Sequence, residues 1–240
     1  MSRADAQRGM PGGARPPHRG EGAELTGRGL FLALEGVEGA GKTTQLRLLG
    51  EWMASRELPH TLAREPGGTP VGEAIRRVLL DSGALDVPPR TELLLMLAAR
   101  SAFVRGVVRP ALERGEVMVS DRFELSTFAY QGGGRGLDRE EIRALNRFAT
   151  EGVRPDLTLL FDLPVAAGIA RQRESGKTRD RIEREAGDFQ ERVRAAYLQM
   201  AEADPSVIVV DAASSPGAVH ERVRELLAAR FPEPFAPSRG

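Results

Sequence analysis

The feature that most constrains the fold is a short apolar run, Leu30–Glu35, which leads into a glycine-rich loop and then into a segment with helical periodicity, Lys42–Arg56. The loop reads Gly36-Val37-Glu38-Gly39-Ala40-Gly41-Lys42-Thr43-Thr44. It matches the pattern Gly-x-x-x-x-Gly-Lys-Ser/Thr, in which loop N–H groups, a helix N-terminus and a lysine hold phosphate groups. The sequence therefore predicts a P-loop, a nucleotide site between a strand and a helix.

Two side chains of this loop have separate expected tasks. Lys42 is one of only two lysines in the chain, and we expect it on the β- and γ-phosphates of a nucleotide. The hydroxyl of Thr43, directly after the lysine, is a candidate ligand of Mg²⁺. All nine residues from Gly36 to Thr44 are predicted to line the nucleotide site.

Short apolar runs alternate with longer amphipathic segments along the chain, which is the pattern of a parallel sheet with crossover helices. Several runs are apolar throughout, as expected of strands that are covered on both faces. We predict an α/β fold with a doubly wound, five-stranded parallel sheet flanked by helices. The predicted strands are Leu30–Glu35, His60–Arg64, Glu116–Asp121, Asp156–Asp162 and Val207–Asp211. The predicted helices are Lys42–Arg56, Pro70–Leu80, Arg90–Arg114, Arg139–Glu151, Pro164–Arg173, Glu183–Ala203 and Pro216–Ala229.

The two ends of the chain differ in composition from the rest. Residues 1–27 are rich in Gly, Pro and Arg, and they predict a disordered extension; they lack the apolar stretch of a secretory signal and carry acidic residues that a transit peptide avoids. An overlong start is the alternative explanation. Residues 231–240 contain three prolines and predict a loose tail. One domain is therefore expected over residues 28–230.

Composition excludes several classes of protein. Lys plus Arg and Asp plus Glu are both 34, so bulk charge gives no reason to expect nucleic acid or an anionic membrane as partner. The chain has no cysteine and three scattered histidines, which excludes disulfides, thiol catalysis and a zinc-thiolate site. No apolar run approaches the length of a membrane-spanning helix. We expect a cytoplasmic protein.

A P-loop alone does not say which reaction follows, and other motifs narrow the choice. The only asparagine is Asn146, so the Asn-Lys-x-Asp motif of guanine-nucleotide switches cannot be present. Arginines stand at predicted strand ends, at Arg64 and Arg122, and a further cationic cluster lies between Arg171 and Arg181. Arginines at strand ends suit an enzyme that holds two polyanions close together and neutralises the charge of a phosphoryl group in transfer.

Five segments occur in an order and spacing that resemble a known family. They are Glu35–Thr44, Arg64-Glu-Pro-Gly-Gly-Thr69, Ala98-Ala-Arg100, the long block Asp121–Gly136 and Asp180-Arg-Ile-Glu183. Together they resemble the bacterial thymidylate kinases, P-loop kinases of the nucleoside monophosphate type, over about Leu30 to Asp211. The resemblance implies transfer of the γ-phosphate of ATP to dTMP, which gives dTDP for dTTP synthesis, in a Mg²⁺-dependent homodimer.

The resemblance also implies roles for single residues. Asp121 is the acidic residue near the metal and the acceptor phosphate, and Arg64 and Arg122 grip that phosphate. Arg100 hydrogen-bonds the thymine ring, Tyr130 packs against the sugar where it disfavours a 2′-hydroxyl, and other side chains stand near the base. The predicted catalytic residues are Lys42, Asp121, Arg122, Arg173 and Arg179; the predicted metal ligands are Thr43 and Asp121; the predicted dTMP-binding residues are Arg64, Met96, Arg100, Arg122, Thr127, Tyr130 and Gln131.

A lid is expected at about residues 171–182. The P-loop carries Glu38 and Ala40 and no arginine, and this resembles the class of the family whose catalytic arginine comes from the lid. Such an arginine stabilises the transferring phosphoryl group when the lid closes. The sequence leaves Arg173, Lys177 and Arg179 as alternatives for that role.

One position departs from the family pattern. Four residues before Arg100 the family usually has a phenylalanine that stacks on thymine, and this chain has Met96. A thioether contacts a ring face with less overlap, so weaker dTMP affinity or looser base selection is expected.

Two other functions stay open at this point: another nucleoside monophosphate or deoxynucleoside kinase, and a nucleotide-binding sensor or scaffold without catalysis.

Overall fold

The computed structural model describes residues 28–80, 85–176, 180–185 and 187–235. Within them, five parallel strands form one sheet in the order β2-β3-β1-β4-β5. The strands are β1 (Leu30–Gly36), β2 (His60–Arg64), β3 (Val117–Asp121), β4 (Leu157–Asp162) and β5 (Val207–Asp211). The predicted fold class is confirmed. Strands β2 and β3 lie on one side of β1, and β4 and β5 lie on the other. In open α/β sheets, the point where successive strands change sides leaves a crevice at the carboxyl ends of the strands.

Helices cover both faces of the sheet. They are α1 (Lys42–Ser55), α2 (Pro70–Leu80), α3 (Pro89–Phe103), α4 (Arg109–Glu113), α5 (Glu124–Thr127), α6 (Arg139–Thr150), α7 (Val165–Glu174), α8 (Gly187–Ala203), α9 (Pro216–Arg230) and α10 (Pro232–Phe235). Two π-helical segments, Val104–Val108 and Phe128–Gly134, interrupt them. Within the described ranges, no helix is both long enough and apolar enough to cross a membrane.

The core lies on both sides of the sheet, and β1 shows why its sequence is apolar throughout. Leu32 and Leu34 point into the larger hydrophobic cluster, while Phe31 and Ala33 point into a second cluster on the opposite face. All seven residues of β1 are buried. Alternate side chains of a strand face opposite sides, so a strand that is covered on both sides has no position left for a solvent-exposed residue.

The long helix predicted over Arg90–Arg114 is in fact three segments. Helix α3 ends at Phe103, the π-helical segment Val104–Val108 follows, and α4 begins at Arg109. Pro110 has no N–H to donate to a carbonyl of the preceding turn, so a regular α-helix cannot continue through it without losing a hydrogen bond.

The helix predicted from Glu183 begins later. Residues 180–185 form turns, and α8 starts at Gly187. The carboxylate of Asp180 accepts hydrogen bonds from the N–H groups of Ile182 and Glu183, both at 2.9 Å. A short polar side chain that bonds to nearby backbone groups in this way competes with helix formation.

The beginning of the C-terminal segment also differs from the predicted loose tail. Residues 232–235 form the short helix α10, and both Phe231 and Phe235 are buried. The ring of Phe235 stacks on Trp52 of α1, with centroids 5.4 Å apart and an angle of 18° between the planes. Burial of two phenylalanine rings stabilises this attachment. The predicted disordered extension at residues 1–27 lies outside the described residues, as do residues 236–240.

Candidate active site

A cavity of about 970 Å³ opens at the carboxyl ends of β1, β2 and β3. Its volume is large for one small ligand and suits two nucleotides side by side. It brings most predicted site residues together, although they come from five separate parts of the chain. The predicted residues that line it are Glu38, Gly39, Ala40, Gly41, Lys42, Thr43, Thr44, Arg64, Met96, Arg100, Asp121, Arg122, Thr127, Tyr130 and Gln131.

The P-loop is shaped by glycines with left-handed backbone. Gly39 and Gly41 have φ of 76° and 90°, a region that other residues rarely adopt. A Cβ on Gly39 would lie 2.3 Å from the carbonyl oxygen of Gly168 in α7, so the loop also needs glycine for this close approach. Gly36 and Val37 lie behind the loop, where their carbonyl oxygens accept hydrogen bonds from Lys42 Nζ at 3.0 and 2.8 Å.

Lys42 is buried at the base of the loop. Burial lowers the pKa of its ammonium group, and the cation of Arg122 lowers it further, while the carboxylates of Glu38, Asp121 and Glu35 raise it. Two carbonyl oxygens therefore hold the buried ammonium at the loop, and an anionic ligand would replace them as its partner.

Thr43 and Asp121 face each other from the P-loop and the end of β3. The Thr43 hydroxyl donates a hydrogen bond to Asp121 Oδ2 over 2.8 Å. Hydroxyl and carboxylate oxygens are ligands that Mg²⁺ accepts, usually together with substrate phosphates and water. Among the described residues, no group of three or more His, Cys, Asp or Glu forms a ready-made metal cage. The pair therefore fits a magnesium ion that is held jointly with a nucleotide.

Arg122 lies at the centre of the cavity in a strained conformation. Its φ is 74°, in the left-handed region that is uncommon outside glycine. Its guanidinium forms an ion pair with Glu38 of the P-loop and lies 5.0 Å from the centre of the Tyr130 ring. Burial raises the pKa of Glu38, but the charges of Arg122 and Lys42 outweigh it and lower this pKa to about 2.

Glu35 organises the backbone next to Arg122. It is fully buried at the end of β1, and it accepts hydrogen bonds from the N–H groups of Phe123 and Ser126 at 2.9 and 3.0 Å. It also accepts from the hydroxyl groups of Ser126 and Tyr197. This carboxylate therefore holds the turn that carries Arg122 against the P-loop strand.

Arg100 of α3 is buried and heavily bonded. Its guanidinium donates to Glu65 Oε1, Thr127 Oγ1, Asn146 Oδ1 and the carbonyl oxygen of Phe123, all at 2.8 to 2.9 Å. Burial raises the pKa of Glu65 to about 7, even though Arg100 lowers it. Of the five N–H donors of an arginine, one on Nη2 has no acceptor among the described residues. The side chain is thus rigid and keeps one donor for a ligand.

The lid region is only partly described. Arg173, at the end of α7, is exposed and does not line the cavity, and Arg179 lies outside the described residues together with Lys177. Arg171 does line the cavity, and it donates to the carbonyl oxygens of Ala212 and Ala213 at 2.9 and 3.1 Å. The assignment of the catalytic lid arginine stays a prediction.

Several cavity residues were missed by the sequence analysis. Arg76 of α2 lines the cavity and donates to the carbonyl oxygen of Pro66 at 2.9 Å, but as one of many arginines on an amphipathic helix it gave no signal. Glu65 belongs to the segment Arg64–Thr69 that supports the family resemblance, but the sequence analysis predicts no role for it. The loop at residues 212–216 completes the cavity beside the P-loop. Its small residues carry no recognisable pattern, so only the fold reveals it.

The fold and the site together define the class. A parallel sheet with a P-loop after its central strand, and a cavity lined by Lys42, Thr43, Asp121 and arginines, is that of a P-loop NTPase-fold nucleotide-binding protein. The family model of thymidylate kinase matches residues 34–223. The chain belongs to the thymidylate kinase family.

Individual relatives agree with the family model. The thymidylate kinase of Desulforudis audaxviator is 53% identical over 205 residues, which cover 83% of this chain and 92% of the relative. That of Pseudomonas fluorescens is 48% identical over 213 residues, covering 88% and 99%. The crystal structure of thymidylate kinase from Ehrlichia chaffeensis superimposes with a TM-score of 0.68 at 30% identity, and covers 83% of this chain and 98% of that one.

Proposed function

We propose that this protein transfers the γ-phosphoryl group of ATP to dTMP, which gives ADP and dTDP for dTTP synthesis. The observation that carries this function is a single cavity with a P-loop on one side and the rigid Arg100 cluster on the other. Membership of the thymidylate kinase family supplies the identity of the acceptor.

ATP occupies the P-loop side in this proposal. Backbone N–H groups of Gly36–Thr44 surround its phosphates, and Lys42 leaves the carbonyl oxygens of Gly36 and Val37 to bind the β- and γ-phosphates. Thr43 and Asp121 would hold Mg²⁺ beside those phosphates. When bound, this ion neutralises charge on the phosphate oxygens.

dTMP occupies the opposite side. Its phosphate lies between Arg64 and Arg122, where it competes with Glu38 for the guanidinium of Arg122. Its base lies against Met96 and meets the free N–H of Arg100, with Thr127 and Gln131 beside it. Tyr130 packs against the sugar. Bidentate arginine contacts fix a phosphate in position and orientation.

The reaction is an in-line displacement. An oxygen of the dTMP phosphate forms a bond to the γ-phosphorus of ATP while the bond to the β–γ bridging oxygen breaks, so ADP leaves with the electron pair. Arg122 keeps the attacking phosphate close to the P-loop. A lid cation, Arg173, Lys177 or Arg179, stabilises the charge of the transferring group once the lid closes.

We further propose a cytoplasmic homodimer that forms on the faces of α2, α3 and α6. Helix α3 packs against both of the other helices. Large apolar side chains are exposed on all three: Val71, Val78, Leu94, Leu145 and Phe148. Large apolar side chains exposed on neighbouring helices are typical of an interface between subunits. The partner is a second copy of this chain, and neither nucleic acid nor a membrane is a partner.

A coupled assay for ADP release tests the function. The purified protein receives ATP and Mg²⁺ with dTMP, dUMP, dCMP, dGMP or thymidine in parallel, and Lys42→Ala serves as the control. Turnover that is fastest on dTMP and lost in the variant supports the proposal. If another monophosphate turns over as fast as dTMP, the protein is a different nucleotide kinase. If the protein binds nucleotide but no acceptor turns over, it is a nucleotide sensor.

A further inference from the structure

The base side of the cavity rests on a buried carboxylate to which no function has been given, Glu92 of α3. Glu92 is fully buried. Its Oε1 accepts a hydrogen bond of 2.9 Å from Gln131 Nε2, and its Oε2 accepts one of 2.5 Å from Arg181. Arg135 donates to both oxygens, at 3.3 and 3.2 Å. One carboxylate therefore contacts a base-side amide and two arginines.

The cluster balances its own charge. Arg135 also forms an ion pair with Glu185 at 2.5 Å, so two carboxylates and two guanidinium groups are packed together. Burial raises the pKa of Glu92, but hydrogen bonds from Arg135, Gln131 and Arg181 outweigh it and leave this pKa below its ordinary value. Glu92 is therefore ionised at neutral pH, and an ionised carboxylate can only accept hydrogen bonds.

This property determines how the Gln131 amide is oriented. The Glu92 carboxylate only accepts hydrogen bonds, so the Gln131 amide must turn its NH₂ group toward it. The amide oxygen of Gln131, Oε1, then points away from Glu92. No group among the described residues donates to that oxygen, and Gln131 lines the cavity. The cavity wall thus presents an acceptor, Gln131 Oε1, and a donor, the free N–H of Arg100.

We propose that Glu92 is a positioning residue that selects a 3-NH, 4-keto pyrimidine by fixing the orientation of the Gln131 amide. In this arrangement thymine N3–H donates to Gln131 Oε1, and thymine O4 accepts from Arg100. Cytosine has an acceptor at N3 and a donor at N4, so both contacts are reversed. Sites built around buried hydrogen-bonding groups reject such analogues strongly, because the polar groups of the site are left unpaired. The inference rests on the proposed phosphorylation of dTMP.

The substitution Glu92→Gln tests it. A neutral amide at position 92 can donate as well as accept, so the side-chain amide of Gln131 is free to rotate by half a turn and exchange its oxygen and nitrogen. The ratio of kcat/KM for dTMP to that for dCMP is expected to fall about tenfold or more. The ratio of dTMP to dUMP stays the same, because uracil has the same 3-NH and 4-keto groups. A merely structural role for Glu92 would lower all three activities together.

Glu185→Gln is the matched control, since it removes a carboxylate from the same cluster without touching Gln131. Its dTMP to dCMP ratio is expected to equal that of the unaltered protein. If Glu92→Gln does not fold, the double variant Glu92→Gln/Arg181→Met restores the charge balance, and it is compared with Arg181→Met alone.

The outcomes separate this inference from the proposed function. A fall of the dTMP to dCMP ratio in the Glu92 variants alone supports the inference. An unchanged ratio in a folded Glu92 variant, or an equal fall in Glu185→Gln, overturns it while the proposed function stands. An unaltered protein that does not prefer dTMP overturns the proposed function first.

Discussion

Thr43 and Asp121 are joined by a hydrogen bond of 2.8 Å, although 77 residues of chain separate them. The bond connects the first turn of α1 with the carboxyl end of β3, so the P-loop and the acceptor side of the cavity meet at this pair. These are the two side chains that would hold a magnesium ion, whose charge would neutralise phosphate oxygens.

Asp121→Asn is therefore expected to lower kcat by about a hundredfold or more, because the loss of one charge at the reacting phosphates is costly where water is excluded. The amide keeps the size of the side chain, so dTMP affinity changes little. Steady-state kinetics and calorimetric titration with dTMP measure the two quantities. Thr43→Ser, which keeps the hydroxyl, is the control, and a kcat within a few-fold of normal in Asp121→Asn would contradict the role of this residue.

Glu65 makes the stability of the protein depend on pH. Its pKa is raised from 4.5 to about 7 by burial, so the folded protein binds this proton more tightly than the unfolded chain does. Stability is therefore highest below about pH 4.5 for this group, and it falls as the pH rises through 7. The shift corresponds to about 3 kcal/mol in the free energy of unfolding.

Glu65→Gln removes that dependence. Melting temperatures measured from pH 5 to pH 8 are expected to fall less steeply in the variant than in the unaltered protein. Glu116→Gln is a useful comparison, because the pKa of Glu116 is lowered to about 2 by Arg114 and the group does not titrate in this range. Parallel curves for Glu65→Gln and the unaltered protein would count against a raised pKa.

Met96 lines the cavity, at the position where the family usually has a phenylalanine. Met96→Phe is expected to lower KM for dTMP about threefold, since stacked aromatic pairs add modest energy beyond their buried area. KM for ATP, measured in the same assay, should not change. If neither dTMP affinity nor base selection moves, the methionine is not the cause of weaker base binding.

If the exposed apolar residues on α3 and α6 form the interface, a single substitution there is expected to prevent dimer formation. Phe148 has 86% of its surface exposed. Phe148→Glu places a charge in the proposed interface and is expected to give monomers, as measured by light scattering after size-exclusion chromatography. Val209→Glu is the control, because Val209 is 46% exposed on the edge strand β5, away from these helices. Unchanged mass for Phe148→Glu would place the interface elsewhere.

The lid arginine is identified by comparing two alanine variants. Arg173→Ala and Arg179→Ala are measured for kcat and for ATP affinity. The residue that stabilises the transferring phosphoryl group is expected to lose about a thousandfold in kcat with little change in ATP binding. A loss confined to ATP affinity in both variants would assign the role to another lid cation.

The sequence predicted the sheet well because its signals are local. The bounds of β2, α2 and β5 are those predicted, since each element combines a clear periodicity with turn residues at its ends. The P-loop was equally clear, because its function depends on consecutive residues. The cavity also contains most of the residues that the family resemblance implied.

The rest depends on contacts between distant parts of the chain. The split of the helix at Val104–Val108 and the π-helical segment Phe128–Gly134 involve one extra residue per turn, which no pattern of apolar residues records. Glu92 reads in the sequence as an ordinary first-turn helix glutamate. Only the fold shows that Arg135 and Arg181 surround it.

The stacking of Phe235 on Trp52 gives this protein an internal optical reporter. Trp52 is the single tryptophan of the chain, and the guanidinium groups of Arg56 and Arg224 lie 5.6 and 5.1 Å from its ring centre. Its tryptophan fluorescence therefore originates at one place, where α1, α9 and α10 meet. When tryptophan alone is excited, detachment of α10 can be followed by emission wavelength without an attached dye and without emission from Tyr130 in the nucleotide cavity.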